Sequence, residues 1–209
     1  MILVGQYDSP FVRRVAVTLH HFGIPFTRNR LSVFNPGMAD VNPLVRIPSL
    51  IIDGGETLFD SGAILDYLDE LAGSERALIP RSGDERRHVL QTTVLASGAT
   101  EKTGAVVYER HFHAAACIAH DWVARCLAQI AGALVHLDGH AKAPWYFGPR
   151  MTQTDITIGC MVFYFRLRLP EAFPPGRYPN VEQIAERCEA LDAFINTRPA
   201  SDEVMPGRK

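Results

Sequence analysis

The chain has 209 residues, 47% of them hydrophobic and 21% charged, with a formal net charge of -2. That balance is ordinary for a globular protein with a sizeable core, built as one large domain or two small ones. The charge speaks against nucleic acid, which needs a basic face, and no apolar run approaches the ~20 residues of a membrane-spanning helix.

The opening reads as strand, helix, strand. Met1 to Gly5 is an apolar run ending in glycine, hence a buried first strand. Ser9-Pro10 then starts a helix, an N-cap followed by proline at the first helical position. Val12, Val15, Ala16 and Leu19 give that helix its apolar face, and Gly23 closes it. Phe26 to Leu31 is extended. Two prolines and a glycine between Phe34 and Pro43 allow only a short helix.

Residues 46–66, RIPSLIIDGGETLFDSGAILD, organise the rest of this half. Pro48 has no N–H and belongs where an edge strand begins. Asp53-Gly54-Gly55 signals a tight turn, and Thr57 to Phe59 reads as the return strand. Asp60-Ser61 opens a helix with Ile64, Leu65 and Leu68 on one face and Ser61 as its N-cap. The order β-α-β-α-β-β-α gives a small mixed sheet with helices on its faces. A peptide edge beside Ile47 and an anion-receiving helix end at Ser61 would suit a small peptide carrying a carboxylate.

Character changes at Ala72-Gly73-Ser74, and a linker ends over Pro80 to Gly83. From Asp84 onward no strand pattern appears. Asp84 to His113 and Ala114 to Leu137 read as long Ala-rich helices, and Gly139 to Arg150 as a loop. Thr152 and Asp155 resemble a capping box heading an apolar helix, Ile156 to Leu167. Val181 to Ile195 reads as a last amphipathic helix, and 196–209 as a loose polar tail.

The four cysteines, Cys117, Cys126, Cys160 and Cys188, form no CxxC pair. They read as reduced thiols, and with no basic-then-apolar leader the expectation is a cytoplasmic protein. The closest histidine pairs are His111-x-His113 and His136-x-x-x-His140, the second interrupted by Gly139. Neither carries the cysteine or carboxylate company of a zinc site, so no metal is expected.

With SPFVRRV at 9–15, NPLVRIPSL at 42–50, LFDSGAILDYLDE at 58–70 and TQTDITIG at 152–159, the chain resembles the cytosolic glutathione transferases over nearly its whole length. The SPF opening is most similar to serine-type members, such as the plant tau class and related bacterial proteins. Omega-type members carry cysteine at the position of Ser9; its absence speaks against a thiol–disulfide oxidoreductase. The resemblance implies an α/β thioredoxin-like N-terminal domain over 1–76 and an all-α C-terminal domain over 84–209. It also implies a homodimer and a cis bond between Ile47 and Pro48.

The resemblance further implies glutathione as co-substrate. Ser9 would donate a hydrogen bond to its thiolate, and Ile47 and Pro48 would meet its cysteinyl backbone. Ser61 and the helix N–H groups would receive the α-carboxylate, Asp60 the ammonium, and Arg46 the glycyl carboxylate. Tyr7, a rival by analogy with tyrosine-type classes, falls at the wrong offset and reads as a packed aromatic. Arg13 and Arg14 read as helix-surface or interdomain charges. Phe11, Phe34, Tyr108 and His111 are candidate walls of a pocket for a small hydrophobic electrophile, between the first helix and the Asp84–His113 helix. The expected reaction is attack of the glutathione thiol on that electrophile. The rivals are a non-catalytic glutathione-binding or regulatory protein of the same fold and a glutathione-dependent isomerase or dehalogenase.

Overall fold

The computed structural model describes residues 1–204, in two units. The first is Met1–Arg81 together with the segment that begins at Ala190; the second is Ser82–Glu189. In the first unit, strands β1 (Ile2–Val4), β2 (Thr27–Asn29), β3 (Ser49–Ile51) and β4 (Thr57–Phe59) form one sheet in the order β2-β1-β3-β4. β1 and β2 are parallel and joined by helix α1 (Pro10–Phe22), as the βαβ reading expects; the other pairs are antiparallel. α2 (Met38–Val41) is the short helix expected before β3, and α3 (Ser61–Ala72) follows β4. Leu3, Val4, Val12, Val15, Leu19, Leu50, Ile64 and Leu68 are buried, each contributing roughly 1.5–3 kcal/mol of transfer free energy.

Register decides where the site can form. Val4 lies opposite Ser49, and Ser49 opposite Phe59. The C-terminal ends of β1 and β4 and the N-terminal end of β3 therefore share one end of the sheet. There the chain leaves β1 towards Ser9, enters β3 through Ile47-Pro48 and leaves β4 at Asp60. The edge strand expected after Pro48 is instead interior, since β3 pairs with both β1 and β4. Proline is accommodated because it stands one residue outside the strand, where the ladder needs no N–H.

Gly5 is where this end of the sheet is tightest. Its φ is 133°, and a Cβ there would lie 2.6 Å from Val12 Cγ2 and 3.0 Å from the Ile47 Cβ. Gly5→Ala therefore combines backbone strain with overpacking and is expected to cost about 2–4 kcal/mol. A urea unfolding midpoint equal to that of the parent would contradict this.

Two local expectations for this unit change. Asp60, not Ser61, is the N-cap of α3: at φ 64° its carboxylate accepts the Gly62 N–H at 2.7 Å, and Ser61 becomes the first helical residue. Arg13 and Arg14 are buried rather than on the helix surface. Arg13 donates from Nε to the Thr197 carbonyl and from Nη2 to the Phe194 carbonyl, both at 3.2 Å, and its guanidinium lies over the Phe194 ring. Carbonyl acceptors and a ring face make burial of the cation tolerable.

The second unit is helical. It comprises α4 (Gly83–Phe112), a 3₁₀ turn at Ala115–Cys117 where a helix was expected to begin, α5 (His120–His140), α6 (Gln153–Arg168) and α7 (Pro179–Glu189). α6 packs on both α4 and α7 and is buried along most of its length. The predicted capping box is present. Asp155 is fully buried and accepts from the Thr152 N–H at 2.8 Å, the Thr152 hydroxyl at 2.9 Å and the Tyr146 N–H at 2.7 Å. Burial pushes its carboxyl pKa up, against the lowering effect of those donors. Asp155→Ala leaves two buried N–H groups unpaired and is expected to cost about 2–4 kcal/mol, read by thermal or denaturant unfolding.

α5 continues past the expected stop at Leu137, through Gly139 to His140. A helical glycine costs only about 1 kcal/mol, which the buried Leu134 and Leu137 offset. The last predicted helix is in fact two: α7 stops at Glu189, Leu191 is extended, and α8 (Asp192–Ile195) packs on α1 in the first unit. Up to residue 204 the expected loose tail is fastened, with Thr197 0% and Glu203 2% exposed. The part of that expectation concerning 205–209 lies outside the described residues. Among the described residues no helix is long and apolar enough to cross a membrane.

Candidate functional site

Three short segments meet at the end of the sheet defined above, each held by its own hydrogen bonds. The first is the turn after β1, where the Ser9 N–H donates to the Gln6 carbonyl at 3.2 Å. Ser9 caps α1: its Oγ accepts the Val12 N–H at 3.4 Å. A serine hydroxyl can accept and donate at once, so capping leaves the Ser9 proton available to a second partner.

The second segment is the loop 42–48. Asn42, 2% exposed, holds it together. Its Oδ1 accepts the Leu44 N–H at 2.9 Å, its Nδ2 donates to the Arg46 carbonyl at 2.8 Å, and its carbonyl accepts the Val45 N–H at 2.8 Å. Val45 sits at φ 52°, a left-handed conformation costing a β-branched residue roughly 1–3 kcal/mol. This loop delivers the Ile47-Pro48 bond, which is cis as the family resemblance implied. Sequence reasoning gave Asn42 no role, although Asn before Pro is a turn signal whose side chain bonds its own backbone two residues on. The Arg46 side chain is exposed.

The third segment is Asp60-Ser61. The Asp60 carboxylate is committed to the Gly62 N–H. Ser61 Oγ accepts a 2.6 Å hydrogen bond from Nη2 of the buried Arg14. A guanidinium only donates, so the Ser61 oxygen must be the acceptor and its own proton must point to another partner. The start of α3 thus presents a hydroxyl donor with a buried cation behind it, a setting that favours an anion.

Tyr7 is a packed aromatic, as its offset suggested. It is 2% exposed, with the Arg28 guanidinium 3.3 Å from its ring centroid. Its pKa is pushed up to about 12, chiefly by burial and also by Glu203, against the lowering effect of Arg28. Tyr7→Phe is expected to leave thiol activation unchanged; a tenfold rate loss in that variant would put the phenol back into the chemistry.

Of the electrophile-facing candidates, Phe11 and Phe34 belong to the first unit, Tyr108 and His111 to the second. Phe11 lies under the Arg14 guanidinium, 5.6 Å from its centroid, and Phe34 is 57% exposed. Tyr108 and His111 each form a T-shaped pair with Phe112 on α4, with centroids 5.6 and 4.8 Å apart. His136 and His140 stack at 4.1 Å on α5, and among the described residues no three His, Cys, Asp or Glu side chains converge to hold a metal.

The model of the glutathione S-transferase N-terminal domain matches residues 3–76, and that of the glutathione S-transferase C-terminal domain matches 121–187. A protein of Escherichia coli called an uncharacterized GST-like protein, YibF, is 30% identical over 204 residues, covering 95% of this chain and 98% of its own. The chain belongs to the glutathione S-transferase family. A probable maleylacetoacetate isomerase of Vibrio cholerae is 25% identical over 213 residues, covering 95% of each chain. Among solved structures, a glutathione S-transferase of Methylobacterium radiotolerans in complex with glutathione sulfonate superposes with a TM-score of 0.89 at 26% identity, covering 100% of this chain and 98% of its own. The expected architecture of this family member, a small mixed α/β sheet domain followed by a helical one, is borne out.

Proposed function

We propose that this glutathione S-transferase binds glutathione at the end of its sheet and activates the thiol for attack on a hydrophobic electrophile. The observation that carries this reading is the convergence of Ser9, the Ile47-Pro48 entry to β3 and the Asp60-Ser61 helix start on that one end. In this reading Ser9 donates to the thiolate, while the Ile47 and Pro48 backbone meets the cysteinyl residue. Ser61 receives the α-carboxylate and Asp60 faces the ammonium, with Arg46 reaching the glycyl carboxylate. Residues 1–76 form the glutathione-binding domain. Phe11 and Phe34 face the electrophile. The working form is a cytoplasmic homodimer serving detoxification. Support for the ligand comes from the glutathione sulfonate held by the Methylobacterium relative.

The test is a calorimetric titration with glutathione followed by conjugation to a panel of electrophilic aromatics. Binding with turnover on at least one electrophile supports the reading, and binding without turnover favours a regulatory glutathione-binding role. Absence of binding overturns it.

A second reading, glutathione-dependent isomerisation, is favoured by the Vibrio cholerae relative. It uses the same thiolate, which adds to an activated double bond and is expelled after rotation, so glutathione is regenerated. Turnover of a cis-unsaturated dicarbonyl substrate without loss of free thiol would select it over conjugation.

A further inference from the structure

The segment that closes the described chain grips Ser9 from both sides. Two residues before Ser9, the Tyr7 N–H donates to Oε1 of Glu203 at 3.4 Å. Four residues after it, Arg13 donates to the Phe194 and Thr197 carbonyls. Glu203 is 2% exposed and gathers several donors: Arg28 Nη2 and the Tyr7 N–H on Oε1, Arg30 Nε at 3.4 Å on the same oxygen, and the Ala200 N–H at 3.0 Å on Oε2. The Arg28 guanidinium is shared between this carboxylate and the face of Tyr7. Outside, Asp202 pairs with Arg30 at 2.6 Å. Arg28 lies on the edge strand β2 and Arg30 just after it, so the segment is fastened across the open side of the sheet.

The Tyr7 N–H contact is long at 3.4 Å, but the carboxylate it meets is itself pinned by Arg28, Arg30 and the Ala200 N–H. The turn from Gln6 to Ser9, which the Ser9 N–H to Gln6 carbonyl bond also ties, is thereby docked on an immobile anchor. A hydroxyl that must meet a sulfur atom in one direction loses activating power when its turn drifts by an ångström. The geometry points to Glu203 as a positioning residue for Ser9, acting through the Tyr7 N–H, and so to the segment from Leu191 to Glu203 as part of the thiol-activating apparatus. This rests on the reading that Ser9 activates glutathione.

The probes are glutathione, whose bound thiol is titrated by its thiolate absorbance, and S-methylglutathione, which has no thiol and reports only whether the cradle is intact. Glu203→Gln is expected to raise the bound thiol pKa by about 0.5–1 unit and to lower kcat/KM at neutral pH roughly three- to tenfold. S-methylglutathione affinity is expected to stay within about twofold of the parent. In a Ser9→Ala background the same change is expected to move the thiol pKa no further, because the two residues act on one contact. The proposal is overturned if Glu203→Gln leaves the thiol pKa where it was while Ser9→Ala raises it. It is equally overturned if S-methylglutathione affinity falls in step with activity, which is the mark of a scaffold role alone. Should Ser9→Ala itself leave the thiol pKa unmoved, the reading of Ser9 fails and takes this proposal with it.

Discussion

Replacing Ser9 by alanine is expected to raise the pKa of glutathione bound to the protein by about 1–2 units and to lower kcat/KM at neutral pH roughly 10- to 100-fold. A free thiol has a pKa of about 8.5 and is mostly protonated at neutrality. Bringing it down by ~2 units requires about 2.7 kcal/mol of preference for the thiolate. A hydrogen bond to a charged acceptor supplies ~1.5–3 kcal/mol, and the start of α1 adds ~0.3–1 kcal/mol. The hydroxyl is therefore the larger contribution and the helix end the residue left in the variant. Because Ser9 also caps α1 through the Val12 N–H, the alanine protein is expected to be about 1 kcal/mol less stable. Ser9→Thr is the control, since threonine restores both cap and donor and should return stability and thiol pKa together. Ultraviolet titration of the bound thiol checks the shift, and an unchanged thiol pKa in Ser9→Ala would remove Ser9 from the mechanism.

The largest effect on stability is expected at Arg13. Its guanidinium is 0% exposed and bonds two carbonyls of the Phe194–Thr197 stretch while covering the Phe194 ring. Arg13→Met keeps much of the volume but takes the Arg13 donor from the buried Thr197 carbonyl, at ~1–3 kcal/mol, and a charge-assisted bond from the Phe194 carbonyl, which keeps the Thr197 N–H and hydroxyl. The expected loss is about 3–5 kcal/mol, seen in urea unfolding and as faster amide exchange over 194–203. Arg13→Lys is expected not to restore it, because an ammonium lacks the fork that reaches both oxygens. A loss under about 1 kcal/mol would contradict this account of how α8 is held to α1.

What could be read beforehand and what could not divides along physical range. Ser9-Pro10, Asp53-Gly54-Gly55 and the Thr152–Asp155 box are local signals: the donor and acceptor lie within a few residues, so residue type and spacing suffice. The helix starts at Ser9 and at Asp60-Ser61 were legible for the same reason, with the cap falling on Asp60 instead of Ser61 because both are good caps. Arg13, Arg14 and Glu203 were not legible. Charged residues in a helix or a polar tail look solvated until the chain brings acceptors or donors from nearly 200 positions away, as Thr197 does for Arg13 and Tyr7 for Glu203. The interior place of β3 was hidden likewise, since pairing with β1 depends on chain reversal rather than on the proline before it. The break between α7 and α8 follows from the same cause: one apolar pattern serves two different surfaces.

A crystal structure of the protein soaked with glutathione addresses the central claim most directly. The sulfur is expected within hydrogen-bond reach of Ser9 Oγ, with the cysteinyl backbone along Ile47 and the α-carboxylate on the Ser61 hydroxyl that Arg14 supports. Glutathione bound elsewhere, or in this cradle with its sulfur turned away from Ser9, would contradict it.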